Sequence, residues 1–270
     1  MAATFINKFL GKVFPLLAIL LLATRPAIYA GDANNDHTRQ SAVQNAPVES
    51  SITSGISGIP ESARFYSFGI PKAGGSVQGN PDKESLFRLY VTPDDPAIKS
   101  LAAQIRKPED AYKMAVQWTY VSDQKLNQAA DKWLTPHGFL TGTPYDSNNP
   151  LKGKVVSDCE EKANTLVSLI RAKGVRPEDV RVALGEVTFY DTKTGHAWVE
   201  LLTDGLWLSL DPCWGSYWDD KAGNLVRREG VPFDYYTIHT YPVLQAWIYY
   251  NDIYYLDPRD SSGNAPNSWQ

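Results

Sequence analysis

The sequence has little of what usually announces a function. Two cysteines in 270 residues allow at most one disulfide, between Cys159 and Cys213. Four histidines, His37, His137, His196 and His239, show no zinc-ligand spacing among themselves or with the cysteines, so no metal or other cofactor is expected in the chemistry. Basic residues are not in excess: 26 Lys and Arg face 30 Asp and Glu, which argues against nucleic acid as a partner. The chain also lacks a run of the ~20 apolar residues that cross a bilayer as a helix. No internal repeat is visible.

What is there begins at the N-terminus. Lys8 and Lys12 precede an apolar run from Val13 to Ala23, which Arg25 and Pro26 stop, and a small residue stands at Ala30. This pattern predicts a signal peptide over 1–30 with cleavage after Ala30, hence a secreted, periplasmic or cell-surface protein with no integral membrane span after cleavage. Ile28 fits the third position before the cut less well than Ala, which leaves an uncleaved anchor as the alternative. Residues 31–60 are rich in Gly, Asn, Asp, Ser and Gln and read as a disordered linker. With 43% hydrophobic residues overall, the remainder can bury a real core, and 61–270 reads as one domain with extensions around a core at 96–215.

Arg64–Ile70 and Leu86–Thr92 look like short strands, being aromatic and β-branched. Asp94 or Asp95 can cap a helix from Pro96, and Pro108 opens another in which Ala111, Met114, Ala115, Trp118 and Val121 recur at helical spacing. Asp123–Trp133 favours helix, and the Pro- and Gly-punctuated stretch 135–157 is a long loop of the kind that often serves function. A cleaner helix runs from Asp158 to Lys173, with Cys159, Ala163, Leu166, Val167 and Ile170 on one face and Gly174 at its end. Val180–Tyr190, His196–Leu202 and Leu206–Asp211 follow as strands, with turns at Asp191–Gly195 and Asp204–Gly205.

Three residues of this last region make a coherent chemistry. Cys159 lies in the first turn of its helix, where free N–H groups and the positive dipole end favour a thiolate. A two-residue turn at Asp204–Gly205 sets Thr203 opposite Leu206, so that Asp211 faces Trp198 and lies diagonally from His196 on the same side of the sheet. An imidazole–carboxylate bond is within reach there and would orient the ring as it takes the thiol proton. The same register sets Cys213 opposite His196.

The run Ser157-Asp158-Cys159-Glu160-Glu161-Lys162-Ala163, followed by Leu169-Ile170-Arg171-Ala172-Lys173-Gly174, resembles the nucleophile helix of the transglutaminase-like superfamily. Gly195-His196-Ala197-Trp198-Val199-Glu200-Leu201 and Trp207-Leu208-Ser209-Leu210-Asp211-Pro212 resemble its histidine and aspartate motifs, in the same order, and the likeness spans about residues 110–215. It implies a papain-like α+β fold, with the nucleophile helix packed on an antiparallel β-sheet. It also implies a thioester mechanism with Cys159, His196 and Asp211 as the catalytic group, acting on amide bonds of a protein or peptide, wall peptides included. Ser157 departs from the glycine common at its position, and the loop 141–156 is longer than the pattern suggests.

Gln117, Trp118 and Trp133 carry side-chain N–H groups ahead of the cysteine and are the candidates for a second oxyanion donor beside the Cys159 amide, Gln117 first, because the two tryptophans read as core anchors. Trp198, Cys213 and Trp214 are the candidates for the substrate groove. Nine of the 32 aromatic residues lie between Phe233 and Tyr255, with a hairpin expected at Asn251–Asp252. They read first as packed strands and second as a platform for sugar or peptide. Two rival functions stay open: a protein cross-linking transglutaminase, and a non-catalytic surface domain in which Cys159 is oxidised onto Cys213.

Overall fold

A computed structural model describes residues 83–189 and 191–270. The expected signal peptide, the linker and the Arg64–Ile70 strand lie outside the described residues. Among those described, no helix is long and apolar enough to cross a membrane. The architecture is α+β. Among the described residues six α-helices, α1 (Lys83–Arg88), α2 (Pro96–Ala102), α3 (Pro108–Ala115), α4 (Asp123–Leu126), α5 (Cys159–Ala172) and α6 (Tyr235–Ile238), accompany ten strands. A six-stranded antiparallel sheet has the order β10 (Ser262–Gly263), β9 (Tyr255–Asp257), β8 (Val243–Tyr250), β3 (Val180–Phe189), β4 (Thr192–Thr203), β5 (Leu206–Leu210). A smaller sheet joins β2 (Val156–Ser157), β1 (Thr119–Tyr120), β6 (Tyr217–Asp219) and β7 (Asn224–Val226), and its β1 pairs in parallel with both neighbours.

The β4–β5 hairpin follows from its turn. Asp204 and Gly205 both adopt positive φ, 51° and 81°, the left-handed pair that a two-residue hairpin needs. Thr203 therefore pairs with Leu206, Leu201 with Leu208 and Val199 with Leu210, the register expected from the sequence. The turn before β4 is shorter than expected. Asp191 has φ 61°, and β4 starts at Thr192, so most of the Asp191–Gly195 segment pairs with β3 as strand.

Helix α5 is the centre of the molecule. Gly174, at φ +88°, lets its last turn close, and the Gly174 amide donates to the Arg171 carbonyl. All residues from Cys159 to Ile170 are buried, so the helix has no solvent face, contrary to the one-sided stripe the sequence suggests. Some polar groups on its other sides find partners from distant segments, whereas Thr165 Oγ1 and Asn164 Nδ2 are buried without one. Lys162 donates to the Trp118 carbonyl at 2.8 Å, Asn164 accepts from the Tyr250 hydroxyl at 2.6 Å, and Ser168 accepts from the Thr92 amide at 2.9 Å. Satisfied in this way, polar side chains can be buried without the usual penalty.

Three segments differ from expectation. Leu86–Thr92 contains no strand: it ends α1 and then turns, because Phe87, Tyr90 and Val91 have helical spacing and all three are buried. Phe87 meets Tyr250 and Tyr255 with ring centroids 5.1 and 5.8 Å apart. Asp123–Trp133 keeps one helical turn, capped by the Ser122 hydroxyl on the Lys125 amide, before Gln128 adopts φ 52°. Helix α3 stops at Ala115, short of Trp118 and Val121. The α2 cap is as expected: Asp95 accepts from the Ala97 amide at 2.8 Å. Within 135–157, helical turns at Gly138–Gly142 and Thr143–Tyr145 and β2 at its end leave less loop than expected, and the rest is knit around Asn149, whose amide donates to the Thr143 and Lys154 carbonyls.

Candidate active site

Asp211 follows the last residue of β5, and its carboxylate is saturated with donors. Oδ2 accepts from His196 Nε2 at 3.0 Å, from Trp214 Nε1 at 2.5 Å and from the Tyr241 hydroxyl at 2.7 Å. Oδ1 accepts from the Cys213 amide at 2.8 Å. The Tyr112 and Tyr236 hydroxyls bracket the Asp211 carbonyl at 3.4 and 3.2 Å. Burial alone would raise this carboxyl's pKa, but the charge and hydrogen bond of His196, with the Tyr241 bond, hold it below the ordinary range. An ionised Asp211 can only accept, so Nε2 of His196 carries the shared proton. In the neutral ring Nδ1 then holds the lone pair.

The Cys213 thiol lies in the same nest, with Sγ, a ring nitrogen of His196 and a carboxylate oxygen of Asp211 all within 4.8 Å of one another. It is half-buried, and it does not pair opposite His196 as expected: the β4–β5 ladder ends at Leu210, and Pro212 turns the chain into a short helical turn, Pro212–Trp214, that carries the thiol back to the imidazole. Burial pushes its pKa up, opposed by the positive charge of Lys162. Both cysteines are free thiols.

Cys159 occupies the first turn of α5 and is 7% exposed. Its thiol donates to Glu160 Oε2 at 3.1 Å rather than to the imidazole. The environment works against the expected lowering of the thiol pKa: burial raises it, and the adjacent Glu160 and Asp158 carboxyls raise it further.

Those carboxyls belong to a group that sequence reasoning missed. Asp158, Glu160 and Glu161 are 5, 6 and 0% exposed, with one oxygen from each within 4.8 Å of the other two. Asp158 stands at the N-cap of α5 yet caps no amide, and its Oδ1 is buried with no hydrogen-bond partner. Burial first, and then mutual repulsion, raises the pKa of Asp158 and Glu160. Oxygens ~2.3–2.6 Å from one calcium ion sit no more than about 5 Å apart, so this hard donor set fits a divalent cation. The Asp-Cys-Glu-Glu run was the visible signal, but spacing rules built on His and Cys pass over it.

The other candidates divide. Trp198 is 0% exposed, close against Tyr241, and its Nε1 bonds Glu200, so it does not line a groove. Its ring crosses Gly185, where an added Cβ would come within 2.8 Å of the ring and 2.3 Å of the Gln245 carbonyl. Trp214 and Cys213 are half-buried beside Asp211. Gln117 is exposed, and Trp118 packs edge-on to Phe139. Trp133 packs among Phe87, Tyr90 and Tyr250, and its buried Nε1 has no partner.

Residues 99–212 match the profile of the Transglutaminase-like superfamily. No curated relative matches the sequence. Among solved structures, EGTA-treated Legionella pneumophila LapG is 14% identical over 66% of this chain and 94% of LapG, with a TM-score of 0.40. Its calcium-bound form is 13% identical over 66% and 96%, with a TM-score of 0.36. A candidate cysteine protease from Cytophaga hutchinsonii is 14% identical over 61% and 52%, with a TM-score of 0.34.

Proposed function

Residues 99–212 form a domain of the transglutaminase-like superfamily, and from that membership we propose that the chain is an exported cysteine peptidase or amidase acting through a thioester on Cys159. The observation that carries the reading is the His196–Asp211 bond of 3.0 Å, which leaves Nδ1 of the imidazole as a base. The Cys159 thiol turns from Glu160 to Nδ1 and gives up its proton as sulfur attacks the amide carbonyl. The C–N bond then breaks as His196 returns that proton to the leaving amine, and water, activated by the same nitrogen, hydrolyses the thioester. Asp211 stays ionised throughout and stabilises the imidazolium. A thiol with a raised pKa still suits this scheme, because its proton goes to a partner in the site rather than to bulk water.

The oxyanion takes the Cys159 amide as one donor. Of the three candidates for the second, Trp133 is favoured, because a buried N–H without a partner costs about 1–3 kcal/mol and gains its partner when charge develops. Export rests on the Lys8–Ala30 pattern. The substrate class is an amide of a protein or peptide, with wall peptides included.

The test is to expose a mixed peptide pool to the purified chain and to a Cys159→Ala variant, reading new termini by mass spectrometry, with a labelled primary amine present. Cys159-dependent new termini support hydrolysis. Label entering glutamine with no new termini points to cross-linking instead. Turnover by Cys159→Ala near the wild-type rate would end the mechanism.

A further inference from the structure

We infer that the half-buried rings of Phe189, Trp214, Tyr235 and His239 form a subsite that selects a large apolar side chain, aromatic above all, on the leaving-amine side of the scissile amide. The inference deepens the thioester reading and rests on it. The four rings make a continuous strip that starts at the proposed general acid. Phe189 meets His196 edge-on at 5.9 Å and Trp214 at 6.1 Å, Trp214 meets Tyr235 at 5.9 Å, and Tyr235 stacks on His239 at 3.9 Å with 7° between the planes. All four residues are only partly covered, in contrast to the fully packed aromatics nearby such as Tyr236 and Tyr241.

The strip is held from beneath rather than loosely displayed. Trp214 donates to Asp211, Phe189 packs edge-on against Tyr241 at 6.1 Å, and His239 Nδ1 donates to the Tyr235 carbonyl at 2.9 Å. Rings fixed in this way lose little entropy when a ligand covers them, which is what makes apolar surface selective. Direction follows from chemistry. His196 delivers its proton to the departing nitrogen, so the residue that carries that nitrogen passes His196, and its side chain lies toward the strip. An aromatic or branched side chain gains both area and ring contact there, whereas glycine gains neither.

The test uses Tyr235, which stands two rings from His196 and outside the proposed catalytic group. A peptide cleaved in a Cys159-dependent manner is remade with Phe, Leu, Gly or Asp as the residue after the cut. Wild type should cleave the Phe peptide with kcat/KM about tenfold above the Gly peptide. Tyr235→Ala should remove most of that ratio while leaving the Gly peptide unchanged, and Tyr235→Phe should keep it. His239→Ala, at the outer end, gives a smaller loss in the same sense and serves if Tyr235→Ala does not fold. Cys159-dependent cleavage indifferent to this residue, or an equal loss on the Phe and Gly peptides, overturns the subsite alone. Cleavage that survives Cys159→Ala, or no cleavage of any peptide, sinks the thioester reading and the subsite with it.

Discussion

Asp211 and the Asp158–Glu160–Glu161 group lie equally deep, at 1% exposure against 5, 6 and 0%, yet their carboxyls are driven in opposite directions. The difference lies in donors. Four converge on the single carboxylate of Asp211, one of them an imidazole that can carry charge. The acidic group has no cationic donor among the described residues: Glu161 takes the Ser157 hydroxyl and the Leu134 amide, Glu160 takes the Cys159 thiol, and Asp158 Oδ1 is buried without a partner. Burial costs a carboxylate its hydration in both places, and only the first place replaces it. One site favours an anion bonded to His196. The other holds acids that resist ionisation together, with the Cys159 thiol bonded to one of them.

The comparison breaks most severely at Asp211→Asn. The amide cannot accept from all four donors, and it presents an N–H where His196 needs an acceptor, which reverses the ring tautomer. Turnover should fall by about 10⁴-fold with the fold retained, read as kcat beside a circular-dichroism melt. A loss of less than tenfold would show that Asp211 does not orient the base. The pH dependence of stability carries the same signature. The Asp211 pKa is lower in the fold than in the unfolded chain, so its stabilisation is present above about pH 4 and is lost as pH falls through the folded value. The Asn variant should lack that part of the acid transition.

At the acidic group the sign is opposite. Carboxyls with raised pKa values contribute stability below their unfolded values, about pH 4, and lose it as pH rises through the folded ones. Near neutral pH the group is therefore a liability that a divalent cation would remove. Calcium added to chelator-treated protein at pH 7.5, at about a hundred times its Kd, should raise Tm by about 5–10 °C. Asp158→Asn, which takes away the unpartnered oxygen, should abolish the rise. The same rise in that variant, or none in wild type, would show that these oxygens do not act as a cation seat.

Much of the first pocket was legible in the sequence, and little of the second. The Asp204–Gly205 turn fixes the β4–β5 register, which brings Asp211 to His196, whereas Cys213 joins them from the Pro212–Trp214 helical turn after the ladder has ended at Leu210. Local rules suffice there, because a two-residue turn dictates every pairing after it. The polar residues of α5 look like a solvent face until Trp118, Tyr250 and Thr92 arrive from elsewhere to meet them. Trp198 reads as a groove residue for the same reason: nothing local announces that Tyr241 covers it. The Asp158-Cys159-Glu160-Glu161 run was plain to see, but its consequence for the thiol depends on burial that only the assembled core supplies.

The smallest expected effect isolates that consequence. Glu160 accepts the thiol proton of Cys159 and is one of the charges that raise its pKa. Glu160→Gln keeps the shape and an acceptor oxygen but removes the charge, so the thiolate becomes easier to form. A change of about one pKa unit corresponds to a tenfold larger thiolate fraction, and alkylation by iodoacetamide at pH 9 in chelator, above the value of about 8 to which the Glu160 carboxyl is raised, should speed up by up to about that factor. Cys213→Ser in the background confines the reading to Cys159. Alkylation that is unchanged or slower in Glu160→Gln would mean that burial, not the neighbouring acid, sets the reactivity of this sulfur, and the contrast between the two carboxylate groups would then have no bearing on the nucleophile.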